Sequence, residues 1–427
     1  MVELQNIQGE EDHLNKANIV FEIFQNINKM EFHPIKTKVM IVNSTQDDEI
    51  KLAKDKLEKV NKMKYLGDII TNNGKIDELI AERKNSISGI TAELVTILAQ
   101  IDSDLKITSI LQYIQGIIIP KMLVNSETWN NISQKNLEEM ERIQMKAIKR
   151  TLKIPDSTPN MGLLNELGML TINNEITKRK ILYLHSILNG KNKITKDILK
   201  QQMEIPGPTW IHNVTSIMNE MKITTDLEEF MEISKNKIKK IIKDKIWEKQ
   251  LKELNIYIKN SKKCKKISAN IKKPNEYLTK MSPTNAKTIL LTKLGMIDIK
   301  TNFKNKYQDN KCTFCKDEEE TLEHIVSCKK VEVDRGIFEM MRGNGVYEMI
   351  YGNDIDSLER VARVIENIME EREKMKEEIE SMEKPYTLNL DKTLPLNDQS
   401  ENMVERLSFG CSKRSLGAED AVDHHEV

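Results

Sequence analysis

The chain has 427 residues, 39% of them hydrophobic and 31% charged, and its 66 basic and 66 acidic side chains give a formal net charge of zero. That length suffices for two to three domains, each with its own core, and the balanced charge by itself names neither a polyanion nor a membrane as partner. Five cysteines in so long a chain exclude a disulfide scaffold and point to a reducing compartment.

Met1 to Asn6 offer neither a basic start nor an apolar run, so no secretion leader is expected. Residues 11 to 31 predict an amphipathic helix, with Leu14, Ala17, Phe21, Phe24 and Ile27 at helical spacing, ended by Pro34. Thr37 to Val42 and Lys62 to Thr71 are β-rich runs, and Asn72-Asn73-Gly74 is a turn signal after the second. From Lys75 onward the periodicity is helical, with helices expected over 75–100, 105–126, 133–152, 159–168, 171–189, 226–257 and 284–295. Pro155, Pro206, Pro208, Pro274 and Pro283 mark breaks between them. The most apolar stretch, Ile110 to Val124, is interrupted by Gln112, Gln115, Pro120 and Lys121 and is too short and polar to span a bilayer. The expectation is a soluble intracellular protein of nucleus or cytoplasm, without a membrane partner.

Charge is unevenly spread along this neutral chain. Lys235 to Lys273 holds fifteen lysines against three acids. Within it, Ile238, Ile242, Ile246, Trp247, Leu251 and Leu254 form an apolar ladder, with Lys239, Lys240, Lys243, Lys249 and Lys252 beside it and Lys262, Lys263, Lys265, Lys266, Lys272 and Lys273 following. Such a face attracts phosphates without reading sequence, or is simply a solvated helix face.

Cys312, Cys315, His324 and Cys328 then form a C-x2-C-x8-H-x3-C pattern. Three thiols and an imidazole at this spacing can close around one tetrahedral Zn²⁺ with no open position, which suits a structural rather than a catalytic ion. The bland alternative is buried free cysteines beside a chance histidine. His324 and Cys328, four apart, are expected on one face of a helical turn, and Lys316 to Glu320 as a polar loop. Helices at 336–350 and 354–384 follow. The second carries Leu358, Val361, Ile365, Ile368, Met375, Ile379 and Met382 in a 3-4-3 pattern, with Arg372 in one apolar place. It suits a short coiled coil or a long helix packed on its own domain. Residues 385 to 427 lack periodicity and are expected to be disordered.

Taken in order, Phe32–Asn43 (FHPIKTKVMIVN), Lys64–Ile70 (KYLGDII), Ser126–Trp129 (SETW), Leu137–Arg142 (LEEMER), Arg150–Pro155 (RTLKIP) and the late Cys-Cys-His-Cys set resemble the C-terminal part of a non-long-terminal-repeat (LINE-type) retrotransposon reverse transcriptase. Many relatives have one more residue between the histidine and the last cysteine. The resemblance implies a mainly α chain with a small N-terminal α/β remnant. Residues 1–74 would be the end of the polymerase palm, 75–155 a helical thumb, 156–305 a helical connector with the basic segment, and 306–350 a zinc knuckle. A long helix over 351–384 and the tail over 385–427 complete the chain. Tyr65, Leu66 and Gly67 would lie in a primer-grip hairpin, against the plain alternative of a strand with a glycine bulge.

Polymerisation needs two metal ions held by carboxylates. In this family these precede the helix that begins here near Glu11, so the resemblance implies no catalytic residues, and Mg²⁺ only where a palm is supplied. Asp47-Asp48 sits in a polar context and reads as a solvated turn. No Gly-rich phosphate loop or Ser/His/Asp set is evident, and His13, His33, His185 and His212 are scattered. The expected cofactor is structural Zn²⁺ and the expected partner RNA or DNA, bound without sequence preference. Two readings compete with this one: a non-enzymatic helical protein self-associating through residues 354–384, and a decayed insertion without selected function.

Overall fold

The computed structural model describes residues 11–30, 33, 37–42, 51–52, 55–100, 107–130, 132–264, 266–269, 273–331 and 345–383. Lys36, Asp47, Asp48, Lys265, Lys272, most of the helix expected at 336–350 and the tail from 385 lie outside them. The chain is mainly helical, with a few short strands near the N-terminus. By contacts it divides into Met1–Glu377 and a C-terminal unit, Glu378–Val427. Of the latter, only the end of one helix belongs to the described residues.

Helix α1 (Glu11–Asn28) forms where expected, but Ile19, Val20, Ile23, Phe24 and Ile27 are exposed. The β segments pair two by two. Strand β1 (Lys38–Val39) runs parallel to β4 (Glu58–Lys59), and β2 (Lys51–Leu52) antiparallel to β3 (Asp55–Lys56). Strands β5 (Lys62–Tyr65) and β6 (Asp68–Thr71) form a hairpin joined by Leu66 and Gly67. Both turn residues have positive φ, +47° and +88°, the combination a type I′ turn requires. Tyr65-Leu66-Gly67 is therefore a hairpin tip rather than a bulged strand. An isolated hairpin is marginal in water. This one is held by α2 (Asp77–Gln100): Arg83 donates to the Gly67 carbonyl at 2.9 Å and to Asp68 at 2.6 Å. Lys62 pairs with Glu78 at 2.7 Å, and Lys64 with Glu82.

The helix expected over 105–126 is interrupted. α3 (Ile107–Tyr113) leads into a π turn, Ile114–Ile118, then α4 (Ile119–Met122). Pro120 has no N–H to donate four residues back, so the extra residue of the π turn falls where the ordinary ladder would break anyway. Asn125, at φ +57°, turns the chain out of the helix. α5 (Gln134–Thr151) starts at Ser133, whose hydroxyl caps Asn136 N–H. α6 (Asn160–Leu167) and α7 (Ile172–Asn189) follow as predicted, the latter capped by Thr171.

Between 190 and 226 the structure adds α8 (Lys193–Glu204) and α9 (Trp210–Glu220), on either side of the Pro206–Pro208 break. The single helix expected over 226–257 is two. α10 (Leu227–Glu232) is capped by Asp226, and α11 (Lys235–Asn260) starts afresh after Ile233, whose carbonyl accepts from His185 Nε2 at 2.8 Å. α12 (Glu276–Lys280) lies between Pro274 and Pro283, and α13 (Pro283–Lys293) begins on Pro283, capped by Ser282. α14 (Leu322–Ser327), α15 (Val346–Tyr351) and α16 (Ile355–Glu383) complete the order.

Two apolar clusters form. One is built on α7 to α11, around Phe230, Ile238, Ile242, Ile246 and Trp247. The other joins α2 to α6 with α13, the cysteine segment and α16. Leu358, Val361, Ile365 and Ile368 are buried in it, so as far as Ile368 the heptad face of α16 is covered by its own chain. Met375 is half-buried, and the side chains of Ile379 and Met382 are outside the described residues. No described helix is long and apolar enough to cross a membrane.

Gly168 ends α6 at φ +62°, and a Cβ there would stand 2.2 Å from the carbonyl carbon of Lys273. Backbone cannot yield as a side-chain end can. Gly168→Ala should cost well over the ~1–2 kcal/mol of left-handed strain alone. Gly67→Ala, whose Cβ would meet only Val124 at 4.0 Å, should cost about that strain. Urea unfolding of the two variants checks this; equal losses would show that the Lys273 backbone moves aside.

Candidate metal centre and basic surfaces

The cysteine segment is a tight loop closed by backbone hydrogen bonds. Cys312 N–H donates to the Glu318 carbonyl at 2.7 Å, and Lys316 N–H to the Cys312 carbonyl at 2.9 Å. Lys311 bridges Glu319 in antiparallel fashion, and Lys316 takes φ +62° to reverse the chain. Thr321 then caps α14 through His324 N–H at 3.1 Å. His324 is on this helix, but Cys328 is not: the helix stops at Ser327, and Cys328 follows in extended backbone. The expectation that the two share one helical face is corrected accordingly. Cys328 approaches because the chain leaves the helix there.

The result is one cluster. The ligand atoms of Cys312, Cys315, His324 and Cys328 all lie within 4.8 Å of one another. Cys315 Sγ and His324 Nε2 are 3.3 Å apart. Two thiolates bound tetrahedrally at the usual Zn–S length stand about 3.8 Å apart, so the four atoms need to move little to enclose an ion. His324 Nδ1 is 3.0 Å from Glu318 Oε2. A proton on Nδ1 then leaves Nε2 free to ligate, the usual carboxylate support of a metal-binding imidazole. Cys312 and Cys328 are buried, and Cys315 and His324 are half-buried.

The thiols are not equivalent. Backbone N–H groups of Glu318 and Asp317 point at Cys315 and bring its pKa down to about 6. Burial pushes Cys312 up to about 12 and raises Cys328 as well.

Glu320, expected in a polar loop, is fully buried. Oε2 accepts from Thr313 N at 2.8 Å and Thr313 Oγ1 at 2.5 Å, and Oε1 from Lys300 N at 3.0 Å. Arg372 of α16, equally buried, donates to Oε1 from Nε at 2.9 Å and Nη2 at 2.5 Å. Burial raises the Glu320 pKa, but the hydrogen bonds from Arg372 and Thr313 outweigh it and hold the carboxyl below its ordinary range.

The predicted basic residues separate into two groups. Lys239, Lys240 and Lys243 stand exposed on α11, where Ile238 and Ile242 are buried, and none makes an ion pair among the described residues. Lys262 is exposed too. Lys263 and Lys266 are engaged by aromatic rings: Lys266 Nζ is 3.2 Å from the Tyr347 ring centroid, and Lys263 Nζ is 5.0 Å from that of Phe303. Leu66, at the hairpin tip, is 76% exposed. The scattered histidines have ordinary contacts: His185 packs edge-on against Phe230, and His212 Nδ1 lies 2.7 Å from the Gly207 carbonyl.

One basic surface escaped the sequence reading. A cavity of about 150 Å³ between α2 and α5 has Ile87, Thr91, Ile143 and Ala147 as its floor and Lys84, Arg142, Lys146 and Arg150 on its walls. Glu139 pairs with Lys84 at 2.8 Å and Arg142 at 2.7 Å. Lys146 and Arg150 have no such partner among the described residues. Arg142, Lys146 and Arg150 recur every fourth residue, about 6 Å apart along the axis. That repeat was visible on α5, but the groove needs α2 beside it.

Comparison of the chain with known protein families, with curated proteins and with solved structures returns no match.

In chain treated with chelator, Cys315 should be alkylated first at pH 7, because it alone of the cluster is a thiolate there. Its rate should fall as pH drops through about 6. Peptide mapping after brief iodoacetamide treatment tests this. Modification of Cys312 or Cys328 first would refute the ranking.

Proposed function

We propose that this chain is a retroelement-derived reverse transcriptase fragment that holds one structural Zn²⁺ and binds RNA or DNA without sequence preference. The observation that carries the metal part is the convergence of Cys312, Cys315, His324 and Cys328 within 4.8 Å. Three thiolates and a neutral imidazole are a saturated tetrahedral set, which favours a staple over a catalytic ion. Leu322, Ile325 and Val326 beside them belong to the larger apolar cluster, and a bound ion would add its own folding energy to that packing.

The nucleic-acid part is supported by two cationic surfaces on separate elements. One is Lys239, Lys240 and Lys243 on α11, and the other is the groove with Arg142, Lys146 and Arg150. Both are suited to phosphates rather than base edges, so affinity without sequence preference is what they can deliver. In this reading Tyr65, Leu66 and Gly67 are the tip of a primer-grip hairpin, and α2 to α5 belong to a thumb. The exposed apolar face of α1 and the pairwise β fragments agree with an N-terminal region that belongs to a larger sheet-and-helix layer. The chain's compartment is intracellular.

A second reading, self-association through residues 354–384, has less to support it. Leu358, Val361, Ile365 and Ile368 already serve the chain's own core.

Two measurements test the proposal. The purified chain should carry one zinc per molecule by elemental analysis; none after refolding with zinc would overturn the metal part. Its affinity for a single-stranded oligonucleotide should fall steeply with salt. Changing Lys239, Lys240 and Lys243 together to Gln should lower the slope of log K against log salt by about 3. Slopes unchanged by this triple variant, and by a second one at Arg142, Lys146 and Arg150, would overturn the nucleic-acid part.

A further inference from the structure

Helix α16 puts an arginine where its apolar pattern calls for a hydrophobe. Arg372 is fully buried, and so is its partner Glu320. An apolar side chain at such a place is often as stable as an ion pair, or more so, because two desolvated charges recover little beyond their cost. What an ion pair adds is geometry. A guanidinium fork fixes the direction of the carboxylate it meets, and the other oxygen of this carboxylate is already committed.

That other oxygen reaches into the cysteine loop. Glu320 Oε2 accepts both the N–H and the hydroxyl of Thr313, which lies between the ligands Cys312 and Cys315. Glu320 is also four residues before His324, and its own backbone is tied on both sides: N–H to the Asn310 carbonyl at 2.7 Å, carbonyl from Thr301 Oγ1 at 2.7 Å. One carboxylate therefore fixes the turn that presents two thiols and the segment that leads to the imidazole. Arg372 does not touch any ligand, but it holds that carboxylate. Its Nη1 meets Glu373 at 3.1 Å, and its Cζ lies 5.4 Å from the Tyr307 ring centroid. Tyr307 is itself fixed by Asp298 at 2.8 Å.

We propose that Arg372 is a positioning residue for the metal centre, acting through Glu320, so that metal occupancy and the seating of α16 are coupled. This rests on the metal reading above and goes beyond it. Coupling of binding free energies is reciprocal. If α16 tightens the site, the ion must equally tighten α16. Removing the metal therefore loosens a helix whose apolar face, as far as Ile368, is packed in the chain's own core, and makes the cysteine segment a control point for that helix.

The test uses the full chain and Co²⁺ or Zn²⁺ as probe. Arg372→Met should weaken metal binding by about 10- to 100-fold, the range for residues that support ligands from behind. It should also alter the thiolate-to-Co²⁺ absorption at saturating metal, which a loss of helix packing away from the site would leave unchanged. Arg372→Lys, which keeps the charge and one hydrogen bond, should recover part of the affinity. Thr313→Val, which removes only the hydroxyl bond to Glu320, should show a smaller loss of the same kind. In the wild-type chain, hydrogen exchange across 355–377 should speed up on chelation and slow again on adding zinc, a readout that needs no variant to fold.

A wild-type chain that binds neither ion would overturn the metal reading itself. A wild-type chain that binds Co²⁺ tetrahedrally while Arg372→Met and Thr313→Val match it in affinity and spectrum, and while exchange in α16 ignores chelator, would overturn the coupling and leave the metal reading standing.

Discussion

The buried carboxylate of Glu320 is the constraint on which the C-terminal half of the body depends. A charge taken out of water must be paired and fully hydrogen-bonded or it unfolds what surrounds it. Glu320 meets that demand by drawing donors from the Lys300 backbone, from Thr313 within the cysteine turn and from Arg372 on α16. Each donor belongs to a different segment, so satisfying one carboxylate fixes the place of three. Losing a single partner would leave a desolvated charge behind, which is why such a pair specifies an arrangement more strongly than it stabilises it.

The same apolar cluster continues from this point to the N-terminal helices. Leu358, Val361 and Ile365 of α16 share it with Ile289 and Leu290 of α13, with Leu322 and Ile325 beside the cysteines, and with Ile114, Ile118 and Ile148 of α3 to α5. A second polar knot ties the middle of that cluster: Glu166 on α6 accepts from Asn275 at 2.6 Å and from the Tyr277 hydroxyl at 2.8 Å. Buried polar groups at these places set which helices meet, and the hydrophobic surface around them supplies the driving force. Helices α7 to α11 bury a separate cluster, and Lys239, Lys240 and Lys243 stay exposed on α11 without an ion pair among the described residues.

Much of this was legible in the sequence. Helical periodicity gave α2, α5, α6, α7 and α13 to within a few residues, because one face of each is apolar and Ser133, Thr171 and Ser282 stand ready as caps. Lys62 to Thr71 was legible as one β-rich run; that it doubles back at Leu66 and Gly67 was implied only by the family resemblance, and the positive φ of both residues shows it. The four residues of the cysteine and histidine cluster were legible because short loops must close such a set, so its members stay near one another in sequence. Misreadings came where a long-range contact overrode local pattern. Residues 226–257 divide at Ile233, whose carbonyl turns to His185. In 190–226 the spacing of Trp210, Ile211, Val214, Ile217 and Met218 is itself helical and already marks α9 in the sequence.

The sequence by itself determined the helical class, the β character of Lys62 to Thr71 and the identity of the cysteine and histidine cluster, because periodicity, β propensity and ligand spacing are local properties of a chain. Only the tertiary structure decided that Glu320 is buried rather than looped into solvent, that Arg372 is its partner 52 residues away, that the heptad face of α16 serves its own core as far as Ile368, and that Lys84 on α2 faces Arg142 and Lys146 on α5 across a groove. Those facts depend on which surfaces meet. A carboxylate and a guanidinium far apart in sequence carry no mark of one another until packing removes the water between them.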